Sequence, residues 1–370
     1  MGLLDHYKQY EEMTDDEVSA KLREDADERR RKALAVVDAL DLSRTTWPDY
    51  PPSAVVNAIT FVARRGLHRY MEAAHELRAE LAHHRDVTPE RIVLGDGASQ
   101  LLTSAAHALM EPGDELLTPW PSYPLYPVMA RQARGKAVPV HGFGVDALLG
   151  AVNERTRIVA LCNPNDPTGE LLPVAEIRRL LEALPERVVV LLDEALREFV
   201  DEEGLDDAVA LCEDHPRLVV FRSFSKAWGL AGLRCGYAIG GRGAEDLLTE
   251  IGPPLGIGEL AQAGVLEAVR HGARVIERRT RRVAAERARL LEALRALPVE
   301  VTPSQANVLW IAPTAMDGAE LASRLARASV IVRSGGPLGD PRHIRASIHD
   351  SAASDRFLRA LTGALTQAPA

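Results

Sequence analysis

The chain has 370 residues, 46% of them hydrophobic and 26% charged, and its 44 lysines and arginines against 53 aspartates and glutamates leave a formal net charge of −9. That length exceeds what one core usually serves, so two packed units are expected, and an acidic balance without a long basic block argues against a nucleic-acid or anionic-membrane surface. Cys162, Cys212 and Cys235 stand far apart with no CxxC pair or His/Cys cluster for a metal, no apolar run approaches ~18 residues, and the start is not leader-like, so a soluble cytoplasmic protein in a reducing compartment is expected.

The first stretch is charged and alanine-rich, with Leu22, Ala26, Ala33, Leu34, Val37 and Leu40 at helical spacing, which predicts an N-terminal helical arm over residues 1–45. Its basic run Arg29-Arg-Arg-Lys32 reads as a solvated face. The segment Trp47-Pro-Asp-Tyr-Pro-Pro52 must be extended, because each proline restricts itself and its predecessor. Tyr70, Ala74, Leu77 and Leu81 mark one face of a helix. Short apolar runs follow at 91–94, 115–118, 157–161, 188–192 and 218–221, separated by helical stretches such as Pro173 to Leu184. Runs of this kind are the strands of a mostly parallel sheet covered on both faces, here a three-layer αβα domain over 46–260. After about residue 260 the pattern becomes one long arginine-rich helix reaching Leu297, then strands at 307–311, 330–333 and 343–347, a helix at 318–328 and a terminal helix. These form a smaller α/β domain over 261–370.

Open parallel sheets bind ligands at the carboxyl ends of their strands, and the informative residues fall there. Lys226, in "FRSFSKAWGLAGLRCGY", follows a strand and stands with Ser223, Ser225 and Arg234. Such a lysine can form a Schiff base, and two hydroxyls with a guanidinium can hold a phosphate dianion; alone, the lysine would read as a surface residue. Asp193 follows five apolar residues in "VVVLLDEA" and must be paired where it is buried. A pyridinium nitrogen is a suitable partner; a carboxylate capping the next turn is the other reading. In "GDGASQLL" the amides of Ala98 and Ser99 open a helix and can face an anion. In "PWPSYPLYP" Tyr123 can lie on a heteroaromatic ring or belong to the core.

Together, Ser223-Phe-Ser-Lys-Ala-Trp-Gly-Leu-Ala-Gly-Leu-Arg234 and Asn163-Pro-Asn-Asp-Pro-Thr-Gly169 make residues 43–365 resemble the fold-type I pyridoxal-phosphate enzymes. The resemblance is to the class I/II aminotransferases and their histidinol-phosphate-aminotransferase-like branch. It implies pyridoxal 5′-phosphate as cofactor, with Lys226 forming the internal aldimine and shuttling the proton, Asp193 on the pyridine nitrogen and Tyr123 on the ring. It implies that Ala98, Ser99, Ser223, Ser225 and Arg234 hold the phosphate, and that Tyr70 reaches the partner's cofactor across a homodimer. It further implies that Arg345, in "HIRASI", grips the substrate α-carboxylate and that Arg333 sits where the branch binds the substrate's tail.

Two positions depart from the family pattern. Asp166 stands where asparagine usually donates to the cofactor's phenolic oxygen O3′, and Leu196 stands where a tyrosine usually does the same. An ionised Asp166 beside O3′ would favour a protonated imine; a protonated Asp166 could donate as asparagine does, or Asn165 could rotate to take over. At the entrance, Leu42-Ser-Arg-Thr-Thr-Trp-Pro-Asp-Tyr50 replaces an asparagine-rich segment, and Tyr70-Met71-Glu72 replaces the usual tyrosine-proline-aspartate. The expected reaction is transfer of an amino group from an amino acid, or an amino alcohol phosphate such as histidinol phosphate, to a 2-oxo acid. The altered pair keeps a decarboxylase, lyase or oxidase as the alternative. A cofactor-binding regulator would need an effector module that the short acidic arm does not supply.

Overall fold

The computed structural model describes residues 38–68 and 74–366, together with 14, 17, 18, 20, 21 and 23–25. The chain divides into the units Met1–Leu40 and Asp41–Ala370. In the first, residues 17, 18, 20, 21 and 23–25 are helical; Leu22, Ala26, Ala33, Leu34 and Val37 of the expected arm lie outside the described residues, as does Tyr70 of the second unit.

In the second unit the prolines before residue 53 release the chain into helix α1 (Ser53–Gly66), and α2 (His75–His84) buries Leu77 and Leu81, as their spacing predicts. Strand β1 (Ile92–Gly95) leads through Gly97 into α3 (Ala98–Leu109). Then come β2 (Glu115–Trp120), α4 (Leu125–Gln132), β3 (Lys136–His141), α5 (Val145–Ala151) and β4 (Thr156–Cys162). Helix α6 (Val174–Ala183) follows Pro173 and buries Ile177, Leu180 and Leu181, one stripe at helical spacing. Strands β5 (Val189–Asp193), β6 (Leu218–Ser223) and β7 (Gly236–Gly240) complete a seven-stranded sheet in the order β1-β7-β6-β5-β4-β2-β3. Only β7 runs against the others. Strands β3 and β7 are elements the sequence reading did not mark; Lys136 and His141 are exposed on an edge strand, and β7 is glycine-bounded.

The sheet is packed on both sides because alternate residues of an apolar strand face opposite ways. Val159, Leu161, Val190, Leu192 and Val220 join one core with α2 and α6, whereas Ile158, Ala160, Leu191, Val219 and Phe221 join a second with α3 and α4. The three-layer αβα architecture follows from that division.

After helix α7 (Glu245–Ile251), the expected single helix from 260 to Leu297 is two helices, α8 (Glu259–His271) and α9 (Ala273–Leu294). The break falls at Gly272, where an added Cβ would lie 2.3 Å from the Ala268 carbonyl oxygen. Strands β8 (Val299–Val301) and β9 (Val308–Pro313), helix α10 (Gly318–Arg327), strands β10 (Arg333–Ser334) and β11 (Ile344–Ser347) and helix α11 (Ser351–Thr366) close the chain. The second sheet is antiparallel in the order β10-β11-β9-β8, with Arg333 opposite Arg345.

Residues 42–49 run as a strap against this second sheet. The Leu42 amide donates to Ile331, the Ser347 amide to Leu42, and the Asn307 side chain to the Thr45 carbonyl. The guanidinium groups of Arg279 and Arg282 pack on Trp47, each 4.7 Å from its ring centroid, and its indole donates to Asp49.

Behind β5 and β6 lies a buried ion network. Glu194, fully buried, accepts from Arg222 Nε at 2.8 Å and Nη2 at 2.6 Å, and Arg197 bridges to Glu203 at 3.0 Å. Removing one member of a buried pair strands the other's charge. Arg222→Met is therefore expected to cost about 3–5 kcal/mol, read as a fall in the urea midpoint, and Glu194→Gln added to it recovers part of the loss. An Arg222→Met protein as stable as the parent would refute this account of the network.

Candidate active site

The carboxyl ends of β1, β2, β4, β5 and β6 converge on one cavity of about 180 Å³. Its walls are Thr46, Ala98, Ser99, Tyr123, Cys162, Asp166, Asp193, Ala195, Leu196, Ser223, Ser225, Lys226, Ala231 and Arg234. Residues separated by more than a hundred positions meet there because parallel strands all point their carboxyl ends the same way.

One end of the cavity suits an anion. Helix α3 presents its first amides at Ala98 and Ser99, and Arg234, in a left-handed conformation with φ of 49°, turns its guanidinium toward Gly97. Gly97 has φ of +86°, a conformation that favours glycine, and an added Cβ would lie 2.5 Å from Arg234 Nη2 and push that guanidinium aside. An added Cβ on Gly236 would lie 2.4 Å from the Ala98 amide, so glycine there keeps β7 against the helix start. Ser223 Oγ accepts from the Ser225 amide at 3.1 Å, which orders the turn ahead of Lys226. Helix amides, hydroxyls and a guanidinium fit a phosphate.

The other end suits a cationic ring. Asp193 is buried, accepting from the Ala195 amide at 3.1 Å and the Tyr126 hydroxyl at 3.3 Å, both neutral donors. Burial lifts its pKa to about 6, only partly offset by those two bonds. A protonated ring nitrogen would supply the positive partner such a carboxylate lacks. Tyr123 stands edge-on to Tyr126, ring centroids 5.8 Å apart, and burial, then Asp193 and Asp166, push its pKa up to about 12, so its hydroxyl stays protonated.

Lys226 Nζ lies between these ends and contacts Thr45 Oγ1 of the strap. Burial lowers its pKa, against the pull of Asp166, and so favours the neutral, nucleophilic amine.

Asp166 sits deep in the site with Arg345 Nη1 at 2.6 Å from its Oδ1. Arg345 Nη2 donates to the Ser43 carbonyl at 2.7 Å. The carboxylate is thus half of a buried ion pair, and a carboxylate whose nearest partner would be O3′ alone is not what the geometry shows. Rotation of Asn165 into its place is also excluded: Asn165 gives both amide hydrogens, to Pro121 O and Thr168 Oγ1, each at 2.9 Å, and accepts from Ser122 at 2.7 Å. Leu196 is buried and lines the same cavity as Asp166. Neither Arg345 nor Arg333 is part of the cavity wall; Arg345 is buried behind it against Asp166, whereas Arg333 is exposed on β10, and Tyr70 lies outside the described residues.

Sequence reading missed Thr45, Tyr126 and Cys162. Tyr126, three positions after Tyr123, carried a signal in its helical spacing; Thr45 carried none, since its contact is 181 residues away. Among the described residues no cluster of three or more His, Cys, Asp or Glu is placed to hold a metal ion.

A family model described as aminotransferase class I and II matches residues 37–361. An aromatic amino acid aminotransferase of Corynebacterium efficiens is 36% identical over 330 residues, 87% of this chain and 92% of that protein. One of Mycobacteroides abscessus is 37% identical over 313 residues, 83% and 88%. Among solved structures, a histidinol-phosphate aminotransferase of Sinorhizobium meliloti in complex with pyridoxal 5′-phosphate superposes with a TM-score of 0.80 at 26% identity, covering 89% of this chain and 91% of that one. A Thermus thermophilus aspartate aminotransferase double mutant gives 0.78 at 27% identity, covering 98% and 100%.

The raised pKa of Asp193 has a sign for stability. Its folded value, about 6, lies above the 3.8 of a free carboxyl, so this group's contribution is present at acid pH and is lost as pH rises through about 6. In cofactor-free protein Asp193→Asn is expected to raise stability by about 3 kcal/mol near pH 8 and by roughly half that near pH 5, measured by urea denaturation. A gain that stays constant between the two would mean that burial of the charge is not the cause.

Proposed function

The chain belongs to the class I and II aminotransferase family and is a pyridoxal-phosphate-dependent aminotransferase, and we propose that its amino donors are aromatic amino acids, with a 2-oxo acid as acceptor. The observation that carries transamination is the single cavity in which Lys226, Asp193 and the anion-suited end at Ala98, Ser99, Ser223, Ser225 and Arg234 face one another. The aromatic donor is supported by relatives of 34–37% identity named for that activity. Exposed Arg333, away from the cavity wall, gives no support to a phosphorylated substrate tail such as that of histidinol phosphate. The comparisons favour transamination over decarboxylation, elimination or oxidation.

Pyridoxal 5′-phosphate, when bound, supplies an aldehyde for the amine and a ring that accepts the electron pair released at the substrate's Cα. In the proposed arrangement Ala98, Ser99, Ser223, Ser225 and Arg234 hold the phosphate and Tyr123 covers the ring. Asp193 keeps a proton on the ring nitrogen, as its buried, cation-lacking carboxylate is suited to do. Lys226 would hold the cofactor through Nζ until the substrate amine takes its place; the freed amine, its pKa depressed by burial, would then be suited to take the proton from Cα and return it two bonds away. Arg345 receives the substrate's α-carboxylate, and Asp166 and Leu196 flank O3′. The mouth is closed by Thr45 and Thr46, held by the strap's bonds to Asn307 and Arg345.

A homodimer is part of the proposal. Helix α1 carries Phe61 and Val56, and Leu67 follows its end, all large apolar side chains left exposed, which a partner surface would cover. Tyr70 follows that surface in sequence and is proposed to reach the partner's cofactor. The cytoplasm is supported by three cysteines that are all free and buried. No helix among the described residues is long and apolar enough to cross a membrane.

The loaded protein mixed with phenylalanine, tyrosine, histidinol phosphate or aspartate, with no oxo acid present, tests the donor. The aromatic pair is expected to convert the cofactor to its amine form with stoichiometric arylpyruvate, and Lys226→Ala to abolish the conversion. Release of carbon dioxide or ammonia with the aldehyde form retained would overturn transamination, and conversion by histidinol phosphate alone would overturn the aromatic assignment. In sedimentation velocity the parent is expected at twice the chain mass and Phe61→Glu with Leu67→Glu at the monomer; a monomeric parent would sink the dimer.

A further inference from the structure

Arg345 is a buried guanidinium with both terminal nitrogens engaged, Nη1 on Asp166 Oδ1 at 2.6 Å and Nη2 on the Ser43 carbonyl at 2.7 Å. Its Nε is a buried donor with no hydrogen-bond partner. Asp166 and Arg345 are 6% and 8% exposed, so water screens the pair little. Both oxygens that hold the guanidinium come from elements fixed elsewhere. Asp166 follows β4 in a turn pinned by Asn165, and Ser43 belongs to the strap that bonds to Asn307 and Ser347.

An uncharged residue in place of Asp166 would leave the guanidinium with its full positive charge for an incoming carboxylate. With Asp166 present the pair is already neutral, and a second carboxylate drawn to the guanidinium, whose buried Nε has no hydrogen-bond partner, meets a fixed like charge on the same cation. Two carboxylates within a few ångströms oppose one another's ionised forms.

We propose that Asp166 is a specificity-determining residue that sets how weakly the site holds a substrate carboxylate, by standing as permanent counter-ion to Arg345. The proposal rests on the reading of Arg345 as the carboxylate-binding residue. It makes affinity for the carboxylate a tuned quantity: the anion must share Arg345 with Asp166, so less of the substrate's binding energy comes from its carboxylate and more from its side chain.

The test is calorimetric titration of the pyridoxal-phosphate-loaded protein with 3-phenylpropionate, an aromatic carboxylate with no amino group to react. Parent, Asp166→Asn, Arg345→Ala and the double variant form a cycle that isolates the coupling between the two residues. Asp166→Asn is expected to tighten binding about tenfold in the parent background and to change nothing when Arg345 is alanine. Asp166→Ser, which also removes the charge, is expected to tighten binding likewise, and it guards against an effect peculiar to the amide. If neither uncharged variant tightens binding while Arg345→Ala weakens it, Arg345 is the carboxylate residue and the role given to Asp166 is overturned. If Arg345→Ala leaves binding unchanged in both backgrounds, the underlying reading of Arg345 falls and the proposal with it.

Discussion

Charge held out of water at the carboxyl edge of the seven-stranded sheet is the constraint around which the rest of the molecule is arranged. Strand β5 is apolar on both faces and ends in Asp193, so a carboxylate is delivered into a region with almost no solvent. Its hydrogen bonds come from neutral donors, the Ala195 amide and the Tyr126 hydroxyl, and burial raises its pKa against these bonds and the charge of Lys226. A site that leaves a buried carboxylate without a directly bonded cation is poorly made as a structural element and well made as a receptor for a protonated ring. The neighbouring Glu194 shows the contrast: one residue on, the chain supplies Arg222 and Arg197, and the charge is balanced internally.

The same economy of charge joins the two sheets. Asp166 follows β4 of the large sheet, Arg345 lies in β11 of the small one, and the strap supplies the Ser43 carbonyl that completes the contact. The strap in turn is anchored by Asn307 and Ser347 of the second sheet and by Trp47 against two arginines of α9. The wall of the cavity nearest Lys226 is therefore built by elements from both ends of the described chain, and a shift of the small sheet moves Arg345 and Thr45 together.

Most of the large sheet was legible because buried parallel strands are continuous apolar runs of short length, a pattern that helices at 3.6-residue spacing do not imitate. The edge strand β3 was not, because Lys136, Pro139 and His141 give it no such run, and its place comes from pairing with β2. Strand β7 was hidden by its two glycines: Gly236 lets the start of α3 approach closely, and Gly240 lies against Ala244 and Leu248. The break at Gly272 escaped periodicity, since the apolar stripe continues on either side of it. Residues of the cavity that follow strands, among them Lys226, Asp193, Tyr123 and Asp166, could be picked out locally, and all four line one space.

Partnership is a different matter. The residue types around Lys226 and the proline-threonine-glycine turn carried family, cofactor class and the departure at Asp166, because these are properties of short stretches whose chemistry depends on neighbours in the chain. What Asp166 faces was decided only in three dimensions. A carboxylate's behaviour is set by the charges within a few ångströms of it, and Arg345, 179 residues away, becomes its neighbour only when the second sheet folds back over the first. Thr45 reaches Lys226 for the same reason. Sequence by itself determined which groups the site contains; the tertiary fold decided which of them neutralise each other, since electrostatic pairing depends on distance and burial, and neither is a property of position along the chain.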